Sequence, residues 1–216
     1  MTTASVEPVE YRGILEFVVE DVGVAPPRAL VLAVHGFNET GGALRADITA
    51  LGVPVRVVHA YAARPISPRA HAVSEVAGYL WYFTGDGGLI EPVLFGDNLR
   101  QLEALLLDMV EQQRPTLTTT TTTTTAPVWL VGRDQGAVLS LALAGIWPEL
   151  ISGVVLKDLP RWWVADWTPP TSSRAGQRVV LVNAADVDGA AGALRALAAD
   201  VRVCAGDVDD GVWLMA

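Results

Sequence analysis

One ten-residue segment, Val128-Trp-Leu-Val-Gly-Arg-Asp-Gln-Gly-Ala137, constrains this chain more than any other. An apolar run ends at Gly132, and a stretch of small and apolar residues, Gln135–Ile146, begins directly after Asp134. A strand that turns into a helix within so few residues brings the two backbones nearly into contact, so the flanking positions must lack bulk. Gly132, Gly136 and Ala137 meet that need, in the spacing Gly132-x-Asp134-x-Gly136. The central residue of such a turn is strained. It stands at the carboxyl edge of a sheet, over a helix N-terminus whose dipole favours an anion. Asp134 is therefore expected as a carboxylate at the focus of a site.

The rest of the chain supplies a matching frame. Strand candidates are Gly13–Glu20, Ala29–Val34, Val53–His59, Val128–Val131, Ile151–Leu156, Arg178–Asn183 and Asp200–Cys204. Most are short and rich in Val, Leu and Ile, the composition of strands covered on both faces. Helical patterns fall between them at Asn98–Gln113, where Leu102, Leu105, Leu106, Met109 and Val110 share a face, at Gln135–Ile146, and at Gly189–Ala199. This alternation predicts a doubly wound, mostly parallel α/β sheet in one domain over residues 1–216. The threonine run Thr118–Thr125 has no polar/apolar alternation and lies between Pro115 and Pro127, so residues 115–127 are expected to form a surface loop.

A second segment, Leu30-Val-Leu-Ala-Val-His-Gly-Phe-Asn-Glu-Thr-Gly-Gly42, reads as a buried strand running into a glycine-containing loop at His35-Gly36-Phe37. Together with Tyr79-Leu-Trp-Tyr-Phe83, Glu91-Pro92, the Gly132–Gly136 turn and Val180-Leu-Val-Asn-Ala-Ala-Asp186, it makes the chain resemble the phospholipase/carboxylesterase branch of the α/β-hydrolases. That branch includes small esterases without a cap and acyl-protein thioesterases, and the similarity runs from about Leu30 to Asp207. The resemblance implies a nucleophile position at Asp134, an acid at Asp186, and oxyanion donors in the Gly36-Phe37 loop and at Gln135, through the N–H groups of Phe37 and Gln135.

Two departures alter the chemistry. Asp134 stands where the family has serine, and no histidine follows His71, so the histidine that would come after the last strand is missing. A carboxylate attacking an acyl carbon would form an anhydride, with no triad base to return the proton. Haloalkane dehalogenases and epoxide hydrolases carry an elbow aspartate, but they also need a histidine-activated water and a cap domain. The readings left open are three. Asp134 acts as general acid/base in a cyclisation, elimination or isomerisation of a small apolar substrate; the fold is kept as a non-catalytic binding module; or a non-standard base supports ester or thioester hydrolysis.

His59, at the end of its strand, is the candidate for such a base, and His71 lies in the loop Ala62–Glu75. His35 is expected to orient its own loop. Aromatic residues at Tyr79–Phe83, with Trp81 and Tyr82 singled out, and at Arg161–Trp167, with Trp162 and Trp163, follow carboxyl ends of strands and are expected to wall a substrate pocket. An exposed tryptophan there also suits a homodimer contact. The net charge of −9 argues against nucleic acid and anionic membrane as partners. No cofactor motif is present, and the acidic run Asp207–Asp210 lacks metal-ligand spacing. The single cysteine, Cys204, excludes an internal disulfide. With no apolar run of about 18 residues and no basic-then-apolar start, a cytoplasmic location is expected.

Overall fold

Apolar residues at every position of a strand require cover on both sides, and the central strands meet that requirement. In the computed structural model, which describes residues 15–66, 78–117, 125–165, 173–197 and 199–204, seven strands form one sheet. They are β1 (Phe17–Val22), β2 (Ala29–Val34), β3 (Val55–Ala60), β4 (Val128–Arg133), β5 (Gly153–Lys157), β6 (Arg178–Val182) and β7 (Asp200–Cys204). Their spatial order is β1-β3-β2-β4-β5-β6-β7. All neighbours are parallel except β1, which runs antiparallel to β3 at one edge.

Because side chains alternate along a strand, each strand feeds two cores. Leu30, Leu32 and Val34 of β2, with Leu130, Leu156 and Leu181, belong to the larger core. Helices α2 (Pro92–Gln112), α3 (Gln135–Ile146) and α4 (Val187–Ala196) pack there through residues such as Leu102, Leu106, Val138, Leu143 and Leu194. Ala29, Val31 and Ala33 point the other way, with Trp129, Val131, Val155 and Val180, and meet Ile48 of the short α1 (Arg45–Ala50). Truncating any of the fully buried leucines to alanine is expected to cost about 2–5 kcal/mol.

Helix α2 starts at Pro92, earlier than the expected Asn98. The Glu91 side chain accepts hydrogen bonds from Val93 N and Leu94 N, and proline at the first helical position needs no N–H partner. Likewise α4 starts at Val187 because Asp186 caps it. Among the described residues no helix is long and apolar enough to cross a membrane. The threonine run at 118–124, His71, Trp167 and the acidic run 207–210 lie outside the described residues.

The order of the strands fixes where a site can form. The chain passes from β2 to β3 on one side, and β4 is inserted on the other. The carboxyl ends of β2 and β4 thus diverge into loops that leave a crevice between them, at the switch point of the sheet. The register pairs Val34 with Gly132, so the Gly36-Phe37 loop and the Asp134 turn leave the sheet side by side.

Candidate active site

Asp134 sits in a sharp turn between β4 and α3, with φ 48° and ψ −116°, a conformation that L-residues rarely adopt. Close packing holds it there. A Cβ added to Gly136 would lie 2.0 Å from the Val34 carbonyl oxygen, and one on Gly132 would lie 2.4 Å from the Gly136 oxygen. Strand and helix therefore approach within a distance that only glycine permits. The Asp134 N–H donates to the Lys157 carbonyl at 3.0 Å, and its carbonyl accepts from Ala137 N at 3.0 Å.

The Asp134 carboxylate turns toward the neighbouring loop. Its Oδ2 accepts the Phe37 N–H at 3.0 Å, so the donor expected to serve a substrate oxyanion is engaged by the protein's own side chain. Among the described residues, no donor is bonded to Oδ1. The Gly36 N–H is also committed, to Glu39 Oε2 at 2.8 Å. Glu39 in turn accepts from Arg133 at 2.8 Å, Arg133 pairs with Asp47, and Asp47 accepts from Lys157 Nζ at 2.6 Å. This chain of ion pairs ties the loop after β2 to the ends of β4 and β5.

Behind the loop, the fully buried His35 donates from Nδ1 to the Gly36 carbonyl at 2.7 Å and accepts the Ala62 N–H at Nε2 at 3.1 Å. These partners fix a neutral tautomer, and burial pushes its pKa below the ordinary value, against the opposing pull of the Gly36 carbonyl and Glu39. His35 is thus a brace, as its place before Gly36 implied.

The cleft beside Asp134 has a volume of about 570 Å³. Phe37 and Phe83, both more than half exposed, stand at its mouth. Tyr82 and Ile90 lie deep, and Trp162 with Arg161 forms a flank. The Tyr82 hydroxyl donates to the Gln135 carbonyl at 3.3 Å. Burial, and then the charge of Asp134, push its phenol pKa well above the usual value, so it remains an O–H donor.

Several expected site residues are placed elsewhere. His59 is buried, with Nδ1 against the Gly41 carbonyl at 2.9 Å and Nε2 against Glu20 at 2.8 Å; it does not line the cleft, because its ring is used to join β3, β1 and the loop at Gly41. Asp186 is exposed, accepts Gly189 N–H at 3.3 Å as the cap of α4, and lines a neighbouring pocket rather than this one. Trp81 is completely buried, its indole N–H donating to the His35 carbonyl at 2.9 Å, so it packs under the loop and does not wall the cleft. Trp163 is half exposed on a two-residue ribbon with Leu89–Ile90, and its neighbour Trp162 alone of the pair faces the cleft. The Gln135 side chain is structural: it accepts the Trp81 N–H at 3.0 Å and donates to the Tyr82 carbonyl at 2.7 Å. Its backbone N–H, at the first position of α3, is the donor that the helix leaves over. Phe83 and Arg161 were not singled out by sequence, although both lie inside the aromatic segments that were.

The fold that carries this crevice recurs in solved structures. The chain aligns with a carboxylesterase from Mesorhizobium loti over 96% of both chains, at TM-score 0.68 and 17% identity. The α/β-hydrolase fold is established. A Bacillus cereus carboxylesterase matches at TM-score 0.69 and 13% identity over 94% of this chain and 95% of its own. An α/β serine hydrolase without lid from Xanthomonas campestris matches at 0.55 and 18%, over 95% of this chain and 86% of that one. No protein-family model and no curated protein matches the sequence. At such identities the likeness is one of fold, and the chemistry has to be argued from this chain's own residues.

Proposed function

We propose that this chain is an α/β-hydrolase-fold enzyme in which Asp134 serves as a general base, and then as the returning acid, for a small apolar substrate bound in the aromatic cleft. One observation carries this reading. The Asp134 carboxylate is oriented through Oδ2 by the Phe37 N–H, while Oδ1 is left without a donor among the described residues, beside an open cleft of about 570 Å³. A base needs one oxygen held and one free to take a proton. Taking a proton from the carbon between a carbonyl and a carbon–carbon double bond would spread the electron pair over a dienolate, and returning the proton from Asp134 at the far carbon of that system would give the conjugated isomer. The Tyr82 hydroxyl, kept protonated, spends its one O–H on the Gln135 carbonyl and so lines the cleft as a neutral group, adding no second charge beside Asp134.

The test does not require the natural substrate. In D₂O, 4-phenylbutan-2-one and cyclohexanone should lose their α-proton signals faster with the protein than in buffer. Asp134→Asn should cut that exchange by about a hundredfold, the usual scale for general acid–base catalysis. Equal exchange by the variant, or exchange no faster than in buffer, overturns the reading.

Ester or thioester hydrolysis with a non-standard base is the second reading, favoured by the activities that the similar structures are named for. Against it stand the Phe37 N–H held by Asp134 and the engagement of both His35 and His59 in structural bonds. Hydrolysis of p-nitrophenyl esters by the wild-type protein at ordinary esterase rates would reverse the preference.

A further inference from the structure

On the other side of the Leu159–Trp162 segment lies a second pocket, of about 420 Å³, between α3 and α4. Its walls are apolar, with Leu141, Leu159, Trp162 and Leu194 prominent, and its charged groups are Arg174, Asp186 and the exposed Arg161 at its rim. Arg174 is 97% buried, since only 3% of its surface remains accessible. A buried guanidinium normally meets a carboxylate, because an isolated charge inside a protein is costly. Here it does not. Nη1 donates to Gln177 Oε1 at 2.9 Å and Nη2 to the Leu141 carbonyl at 3.2 Å, both neutral acceptors, and Nε is buried with no acceptor at all. Among the described residues, no carboxylate lies within ion-pair distance of Arg174. Burial pushes its pKa down from the ordinary value. Asp186 cannot neutralise it: its carboxylate is exposed and already caps α4 through Gly189. A chain of net charge −9 has thus buried a cation beside a cavity without using any carboxylate of its described residues.

We infer that this pocket is a binding site for a small organic monoanion, a carboxylate carried on an apolar body, with Arg174 taking the charge and the leucine and Trp162 walls taking the body. The volume suits a ligand of that size, and the charge-assisted bond to guanidinium supplies the selectivity for an anion. The site is separate from the Asp134 cleft, which presents a carboxylate of its own and so favours neutral ligands. The inference does not depend on what Asp134 does.

The experiment uses isothermal titration of the whole chain with 3-phenylpropanoate and with its neutral counterpart 3-phenylpropan-1-ol. The acid should bind saturably and at least about tenfold more tightly than the alcohol, as a charge-assisted bond requires. Arg174→Gln should remove that difference. Ala193→Trp, which fills the pocket from the exposed side of α4 and keeps Arg174 in place, should abolish binding of both ligands and keeps the test available if Arg174→Gln fails to fold. Asp134→Asn should leave the affinity for the acid unchanged. Equal binding of acid and alcohol, binding that survives Ala193→Trp, or no saturable binding of the acid overturns the inference.

Discussion

Two positions on the carboxyl edge of this sheet, one at its centre and one toward its edge, are built to different tolerances. At the elbow, the backbone of Asp134 is held by Gly132 and Gly136 at distances no other residue allows, and the loop before it is fastened by His35, Gln135, Trp81 and a run of ion pairs. Farther along it, Asp186 is exposed, contributes one hydrogen bond at 3.3 Å to cap a helix, and among the described residues meets no histidine. Both positions resemble members of a triad, yet only one is anchored on every side. The difference teaches that the geometry of this elbow is maintained by packing that would persist whatever residue occupied position 134. The acid position, by contrast, is maintained only as a helix cap.

The sharpest way to break the comparison is Gly136→Ala. A methyl group 2.0 Å from the Val34 oxygen forces the helix away from the sheet, and the expected loss is about 3 kcal/mol or more, read as the urea midpoint. If the variant keeps wild-type stability, the elbow is looser than described. A smaller effect is expected from pH. His35 has a folded-state pKa below the ordinary 6.5, so below that pH the unfolded chain binds the proton more readily. The contribution of neutral His35 is complete above pH 6.5 and is lost as the pH falls toward the folded-state value. Denaturation midpoints of wild type and His35→Gln, compared between pH 5 and 8, should show a steeper acid decline in the wild type. The smallest effect belongs to the other position: Asp186→Ala should cost only about 0.5–1 kcal/mol, the worth of a helix cap, and leave Asp134-dependent deuterium exchange unchanged. A large loss of exchange would restore Asp186 to the catalytic machinery.

The strength of the sequence signals follows the same division. A strand buried on both faces carries its pattern in every residue, so Ala29–Val34 coincides with the expected span; the edge strand Asp200–Cys204, exposed at Asp200, Arg202 and Val203, coincides as well. The elbow was legible because sterics leave Gly132 and Gly136 no alternative. Side-chain direction was not legible. Trp81 and Trp162 both follow carboxyl ends of strands, but the first turns into the core and the second toward the cleft, a choice made by the His35 carbonyl in one case and by Phe95, 6.3 Å away, in the other. His59 followed a similar course: the position was read well, but its partners Glu20 and Gly41 come from segments 39 and 18 residues away. Arg174 gave no signal at all, since an arginine in a loop is ordinarily exposed and only the packing of α3 and α4 buries it.

The hydrogen bond between Phe37 and Asp134 makes the side chain a tethered competitor inside its own cleft. Any ligand oxygen that seeks the Phe37 N–H has to displace a carboxylate that is covalently attached, charged, and present at a high effective concentration. A neutral carbonyl loses that contest. The cleft therefore screens its visitors by what they can do without, admitting molecules held by their contact with Phe37, Phe83 and Trp162 and rejecting those that depend on a vacant donor pair.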